Sequence, residues 1–547
     1  MSSGEHGSTS QFPRVFLICF ALVFVAMAVF SFAMPLLSGP DEQTHTIKAT
    51  GVVRGQFTGN CHDRPFTGPT LPPCPSSGPL GSLTEVHVPA FYAVLKPDNH
   101  VASEANLNLE CESGRSTQPA NCIVFPKPAI FAGIARYSWI YDGRYPPLYY
   151  AIVGLPSLLG EGNWALYLMR LAGALACAFF VALAAASVWV WSRRRLVLVG
   201  IVLGATPMVL YLGGVVNPSG LEAATAISLW SAGSVLVLER RNDPPRGLVA
   251  VVGVSAAALA LVRSLSPLWL AVCLVVLCLL AGGRAVIALL SRRQVRWAAA
   301  LALLGTALAL SWTVYEHATN VKPPTIASAI PSRTTPLSTL VFTALRHNSS
   351  WVPTLIGVFG KFDTRLPLFS YAIWYVLLGV VVLGALFVGS RRESATLVAL
   401  LLGIVLIPTL IVLSHVHVDG YLWNGRDTLP LAVGLPIVAS AIIDARSSRL
   451  VAATVRRSVI WVLVLAGIAQ FGALYEALRR YSVGTSGAVV GFLAHPVWSP
   501  PVGVVLPLLV QLGVLVLSAV LIVRSLRERD EASRSSLSAD HPFEVRV

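Results

Sequence analysis

The chain has 547 residues, 55% of them hydrophobic and only 12% charged, with a formal net charge of +14 and a mean hydropathy of +0.70. That balance excludes a soluble globular protein and points to an all-α integral membrane protein that crosses the bilayer many times. The arginines concentrate at 193–195, 240–246, 284–296, 391–392, 446–457 and 524–534, in alternate connections between apolar segments. This is the positive-inside pattern, so the basic charge sets topology and is no sign of a nucleic-acid partner.

Residues 1–14 form a polar N-terminal tail and residues 15–37 the first transmembrane helix. A signal peptide is the rival reading, since Ser31-Phe32-Ala33 loosely resembles a cleavage site. The apolar run is long for such a peptide, which favours an uncleaved anchor. Directly after it comes Ser38-Gly39-Pro40-Asp41-Glu42-Gln43-Thr44-His45. Two adjacent carboxylates thus emerge where the chain leaves the lipid. Pro40 suits the first position of a new helix, capped by Gly39 or Ser38. Such a helix carries Asp41, His45 and Lys48 on one face, at i, i+4 and i+7. The bland alternative is a pair of acids that complements the helix dipole and faces water.

Residues 38–163 are read as a large extracytoplasmic loop, rich in Pro, Gly and Ser. Four of the eight cysteines lie there: Cys61, Cys74, Cys111 and Cys122. Two disulfides in an oxidising compartment are expected, with the sequence-local pairing Cys61–Cys74 and Cys111–Cys122 chosen among three; a zinc site is the runner-up. The loop ends in Tyr145-Pro146-Pro147-Leu148-Tyr149-Tyr150 and an apolar stretch to Leu159, too short to span and so expected along the membrane surface. Eleven further apolar segments follow within 164–523, at roughly 164–191, 196–216, 219–238, 247–263, 266–283, 297–315, 368–389, 394–414, 429–445, 458–479 and 501–523. With the first they make about twelve spans, which puts both termini in the cytoplasm and leaves 524–547 as a disordered tail. The short pair around Arg263-Ser264 also reads as a re-entrant hairpin.

Two more outer connections are loaded with polar groups. Residues 316–367 are read as a long loop holding Lys361, Asp363 and Arg365. Residues 415–428 hold His415, His417, Asp419 and Arg426. The lysines, Lys48, Lys96, Lys127, Lys322 and Lys361, all fall on this outer face. Polar residues gathered at one surface of an apolar scaffold read as a site; ordinary solvated loops are the alternative. His415, His417 and Asp419 on one edge of an extended segment could ligate a metal, so a divalent metal stays open as a cofactor. No nucleotide-binding glycine loop and no nucleophile elbow is evident. The economical chemistry is a carboxylate with cations: Asp41 or Glu42 as general base, and Arg426, Lys361 or Arg365 holding an anion.

Pro40-Asp41-Glu42 with His45, Pro146-Pro147-Leu148-Tyr149-Tyr150, Asn217-Pro218-Ser219, Gly357 to Pro367 and Gly425-Arg426-Asp427-Thr428-Leu429-Pro430 resemble, in that order, the landmarks of a bacterial multi-pass membrane family, domain of unknown function 2142. That family is similar in layout to the GT-C glycosyltransferases, which take sugar from a polyprenyl-phosphate carrier outside the cytoplasmic membrane. Ser219 departs from the pattern, which leads one to expect Asp after the Pro, and Asp427 stands where an aromatic is commoner. The resemblance implies a GT-C-like fold and inverting transfer from a polyprenyl-phosphate sugar lipid to a cell-envelope glycan acceptor, with membrane lipid around the spans. It implies catalysis by Asp41 with Glu42, and substrate binding by His45, Lys48, Lys361, Asp363, Arg365 and Arg426. A flippase of lipid-linked saccharide and a non-catalytic envelope scaffold are the rivals from other classes.

The arginine asymmetry makes a direct prediction. Labels at Ser77 and Ser536, on cysteine variants probed with an impermeant reagent in intact cells, should report opposite sides of the membrane; the same side for both refutes this topology.

Overall fold

In the computed structural model, the described residues are 11–58, 84–96, 107–127, 135–239, 241, 243–316, 318, 330–446 and 451–539. Helix α1 (Phe12–Ala33) carries Pro13 in its first turn, where a missing N–H costs nothing, and is apolar beyond Arg14. The chain reverses through Leu37, in the left-handed region at φ 65°, and enters α2 (Glu42–Val52). The expected cap at Gly39 or Ser38 is corrected here. The helix starts after Asp41, which is itself left-handed at φ 57° and makes no side-chain capping bond. Asp is among the few residues with a short polar side chain that tolerate this conformation. The turn frees the Asp41 carboxylate from the helix end and points it elsewhere.

The stretch expected along the membrane surface forms α3 (Leu148–Gly154), continued by a tight turn over Leu155–Leu158. Helix α4 (Asn163–Trp191) lies along α1. A bent pair follows, α5 (Val197–Gly204) and α6 (Pro207–Gly214), at 63°. Helix α7 (Pro218–Leu238) is the buried centre of the bundle. It starts on Asn217, whose side chain accepts the Ser219 N–H at 2.9 Å, with Pro218 in the first turn. A Cβ at Gly220 would stand 2.5 Å from the Leu212 carbonyl oxygen, so that approach demands glycine.

Helices α8 (Arg246–Val262) and α9 (Ser266–Ala281) form a hairpin, and α10 (Gly283–Leu290) turns 109° away from α9. Then come α11 (Arg293–Tyr315), α12 (Leu337–Ile356), α13 (Leu368–Val388), α14 (Arg391–Asp419), α15 (Gly434–Arg446), α16 (Ala452–Val483) and α17 (Val505–Ala539). Among the described residues nine helices are long and apolar enough to cross a membrane, or up to eleven if each bent pair is one span. The expected twelve is one more than this. The difference is α8, whose 17 residues reach only about 26 Å at 1.5 Å per residue, against a core of about 30 Å.

Three expected loops are partly helical. Residues 337–356 form α12, because Leu340, Ala344 and Trp351 recur at helical spacing beneath a polar face. Helix α14, opened by a capping box of Ser390 and Glu393, runs through His415 and His417 to Asp419. Residues two apart on a helix do not share a face, so His415 and His417 do not stand along one extended metal-binding edge. Helix α17 continues to Ala539, well into the stretch read as a disordered tail. On the outer side, β1 (Thr84–Pro89) pairs antiparallel with β2 (Ala135–Ile140). Cys111 and Cys122 are joined by a disulfide; Cys61 and Cys74 lie outside the described residues.

One ion pair ties these pieces together. Arg170, on α4 and wholly buried, donates Nε and Nη2 to the two Glu42 oxygens at 2.6 and 2.7 Å. Its other N–H groups reach the carbonyls of Ser31, Met34 and Pro35 at 2.6–3.0 Å, so all five donors are used. Glu42 also accepts the N–H groups of Gly39 (3.0 Å) and Val216 (3.1 Å). The pair thereby fixes the exit of α1, the start of α2 and the end of the α5–α6 segment on one guanidinium. Arg170→Met strands a buried carboxylate, and should cost about 3–5 kcal/mol, read as a lowered unfolding midpoint in detergent; an unchanged midpoint refutes this role.

Candidate active site

Asp41, just before α2, and His45 and Lys48 on the helix all meet one strip of chain after β2. The Tyr141 hydroxyl donates to Asp41 Oδ1. The Asp142 carboxylate lies against His45 Nδ1, which is also 3.0 Å from the Tyr150 hydroxyl. Lys48 donates its ammonium to the carbonyls of Gly143 and Phe57. Three consecutive residues of the bend and turn after β2 thus meet Asp41, His45 and Lys48 in order. Sequence reasoning missed Tyr141 and Asp142; the signal available was their place next to the Tyr-Pro-Pro landmark.

Asp41 is the meeting point of the outer elements. Its Oδ2 accepts from Arg426 Nη2, which comes from a short turn over Gly425–Thr428. That turn sits tight against α12: a Cβ on Gly425 would lie 2.4 Å from the Trp351 carbonyl oxygen. The Arg426 guanidinium is 5.2 Å from the Phe362 ring. Its Nε and Nη1 are buried and have no hydrogen-bond partner, although this side chain is 9% exposed. Such orphaned donors are costly and mark a place built for an acceptor. The Lys96 ammonium lies 5.0 Å from the Tyr141 ring, adding a second cation that the sequence left unassigned.

Burial alone would raise the Asp41 carboxyl, but the charges of Arg426 and His45 and the hydrogen bonds from Tyr141 and Arg426 outweigh it. They hold it well below the usual carboxylate range. Burial, together with the Asp41 and Asp142 charges, drives the Tyr141 phenol far upward, so Tyr141 stays a proton donor.

The remaining candidates separate. Glu42 has every lone pair engaged by Arg170 and two backbone N–H groups, which leaves it a positioning part rather than a reacting one. Lys361 pairs with Glu110. Asp363 is held by Arg480 at 2.9 Å and by the Gly114 N–H at 3.1 Å. Arg480 also donates to the carbonyls of Glu112 and Gln118, so it docks the disulfide loop onto α16. Arg365 is exposed on a two-residue strand. Only Phe362 of that hairpin meets Arg426.

The two positions that depart from the family pattern stand near this centre. Asn217, before Pro218-Ser219, donates to the Pro40 carbonyl at 2.8 Å. Asp427 accepts from Arg263 Nη1 at 2.7 Å, and Arg263 leans on Glu222 at 3.3 Å and on Ser219 at 3.4 Å. Arg263, at the tip of the α8–α9 hairpin, is another residue the sequence reading did not place in the site. A divalent cation does not fit this donor set. Among the described residues no three His, Cys, Asp or Glu side chains stand together as ligands, and the exposed Asp41 oxygens already face Arg426 and Tyr141.

Lys48 supplies a pH test of this interior. Burial pushes its ammonium down to about 8, against the opposing charges of Asp142 and Glu316. The unfolded chain keeps it near about 10.4, so between about pH 8 and pH 10 the unfolded state binds more protons and stability rises with pH. Wild type should gain about 1–3 kcal/mol over Lys48→Met across that window, measured by thermal unfolding in detergent. A constant difference between the two proteins would show that Lys48 is not desolvated.

The family model described as Predicted membrane protein (DUF2142) matches residues 24–435. No curated protein matches the chain. Among solved structures the chain is similar to the crystal structure of ArnT from Cupriavidus metallidurans bound to undecaprenyl phosphate, at 14% identity and a TM-score of 0.41, over 96% of this chain and 79% of that one. The family model covers most of the chain, from the first transmembrane helix to beyond Arg426, and this protein therefore belongs to the DUF2142 family of membrane proteins.

Proposed function

We propose that this protein is an inverting membrane glycosyltransferase, moving a sugar from a polyprenyl-phosphate donor to a cell-envelope acceptor at the outer face of the bacterial cytoplasmic membrane. The observation that carries the reading is Arg426: buried, paired with Asp41 through one nitrogen, and left with two unpartnered donors. A guanidinium of that kind suits a phosphate, which offers several acceptor oxygens and negative charge. The order of motifs from Pro40 to Pro430 supports the same chemistry.

In this reading the acceptor hydroxyl attacks the anomeric carbon from the face opposite the phosphate. The bond from that carbon to the phosphate oxygen breaks, and the electron pair leaves with the lipid phosphate, stabilised by Arg426. The acceptor proton passes to Asp41. A carboxylate locked to an arginine is a poor base, and Asp41 in the free protein is locked. Donor phosphate competes for the same guanidinium, which loosens the pair and raises the basicity of Asp41 when the donor is in place. His45 and Lys48, held by Asp142 and Gly143, set the axis of the helix that carries Asp41.

Two variants separate base from anchor. Asp41→Asn should slow transfer by about two to four decades while donor binding is kept or tightened, because Arg426 loses its competitor. Arg426→Ala should weaken donor binding by about ten- to hundredfold. Both are read with membranes, labelled prenyl-phosphate sugar and a cell-wall acceptor. Transfer by Asp41→Asn at the wild-type rate refutes the assignment. A wild type that moves lipid-linked saccharide across a bilayer without transferring sugar is a flippase instead.

A further inference from the structure

At the end of the bundle away from Asp41 the structure holds a second polar feature. Helix α7 starts beside Pro40 and ends at Leu238, and α9 starts at Ser266 beside Glu222 and ends at Ala281. Each helix therefore runs from the candidate active site to the far end. There the two helix ends, α10 and the starts of α11 and α14 enclose a cavity of about 480 Å³. Arg241, Arg284, Arg292 and Arg392 converge on it from four separate stretches of chain, and no carboxylate is among its described lining residues.

Two of the acids nearby are committed elsewhere, while Asp243 is exposed between the lining residues Arg241 and Pro244. Glu393, next to Arg392, is buried in its pair with Arg446 at 2.9 Å and caps α14 through Ser390. Glu239 accepts the Arg193 N–H at 2.8 Å. Arg284, Arg292 and Arg392 have no lining counter-charge and repel one another unless an anion joins them, whereas Arg241 donates to the Trp191 carbonyl at 2.9 Å and meets the charge of Glu239.

The shape of the rim says which anion. Gly282 sits in the left-handed region at φ 84°, and through it α10 breaks 109° from α9 to cross the bundle end. The α10 flank bearing Ala285 and Ala288 lines the cavity, while Ile287 is 71% and Leu290 47% exposed. Trp297, one turn into α11, is 64% exposed beside Arg296. A short helix with outward apolar residues, flanking arginines and an adjacent tryptophan is built for the headgroup level of a bilayer. A cavity opening there meets lipid phosphate before it meets a soluble anion.

We infer that this cavity is a binding site for the phosphodiester headgroup of an anionic phospholipid in the leaflet at that end of the bundle. Arg284 and Arg292 grip the phosphate from α10 and the turn after it, and Arg241 and Arg392 close it from α7 and α14. The site is independent of the transferase reading. Its ligand holds α10 against the bundle where that helix turns 109° away from α9.

The test uses the full chain, purified in detergent and incubated with mixed micelles of phosphatidylglycerol and phosphatidylcholine, with retained lipid counted by native mass spectrometry. Wild type should retain phosphatidylglycerol preferentially. Arg284→Gln with Arg292→Gln should lower that preference by about thirtyfold, and Arg456→Gln with Arg457→Gln on α16 should leave it intact. Arg292→Gln alone, at an exposed turn, should lower it about fivefold and serves if the double variant is unstable. An unchanged preference in the α10 variants overturns the site. An equal loss in the α16 pair shows diffuse surface charge and overturns it too. Displacement of the lipid by millimolar inorganic phosphate identifies a soluble-anion site and rejects the lipid assignment.

Discussion

The structure depends on a buried arginine that leaves no donor unused. Arg170 gathers the last carbonyls of α1 and the carboxylate of Glu42, and Glu42 in turn takes the backbone N–H groups of Gly39 and Val216. Two charges in an apolar bundle are tolerable only when their geometry is this complete. The consequence reaches beyond stability. With Glu42 anchored inward, its neighbour Asp41, itself in a left-handed conformation, is turned toward Tyr141 and Arg426. Of two adjacent acids, one is spent on architecture so that the other can be aimed.

The aimed carboxylate then sits in a second, looser network. Tyr141 and Arg426 hold Asp41, Asp142 backs His45, and Gly143 takes Lys48. Asp427, next to Arg426, accepts from Arg263, which also reaches Glu222. The contrast between the two networks decides their roles. Arg170 is saturated and has nothing left to offer a ligand, whereas Arg426 keeps two buried donors unpaired. A saturated pair fixes a fold, and an under-satisfied one is where a phosphate gains most.

Much of this was legible beforehand for local reasons. The apolar runs read as spans because a helix must satisfy its own backbone in lipid, and length alone tests that. His45 and Lys48 shared a face because the period of a helix is fixed by its backbone, whereas Asp41 proved to lie before the helix in a left-handed conformation. The misreadings share a cause as well. Residues 337–356 and 415–419 looked like loops because their composition is polar, yet a helix needs only one apolar stripe or the continuation of a good start. Helix α8 looked like a full span because its hydropathy passed without regard to its length.

Sequence by itself determined the membrane class, the family, the acidic motif at the exit of the first span and the face its side chains share, since each rests on spacing along one chain. Only the tertiary structure decided that Glu42 is locked to Arg170 while Asp41 stands clear of it, against Tyr141. It also decided that Arg426, 385 positions from Asp41, is its partner, and that Arg480 clasps the disulfide loop. Ion pairs and hydrogen bonds act over a few ångströms with no memory of sequence separation, so their partners become visible only when distant segments are brought to one surface.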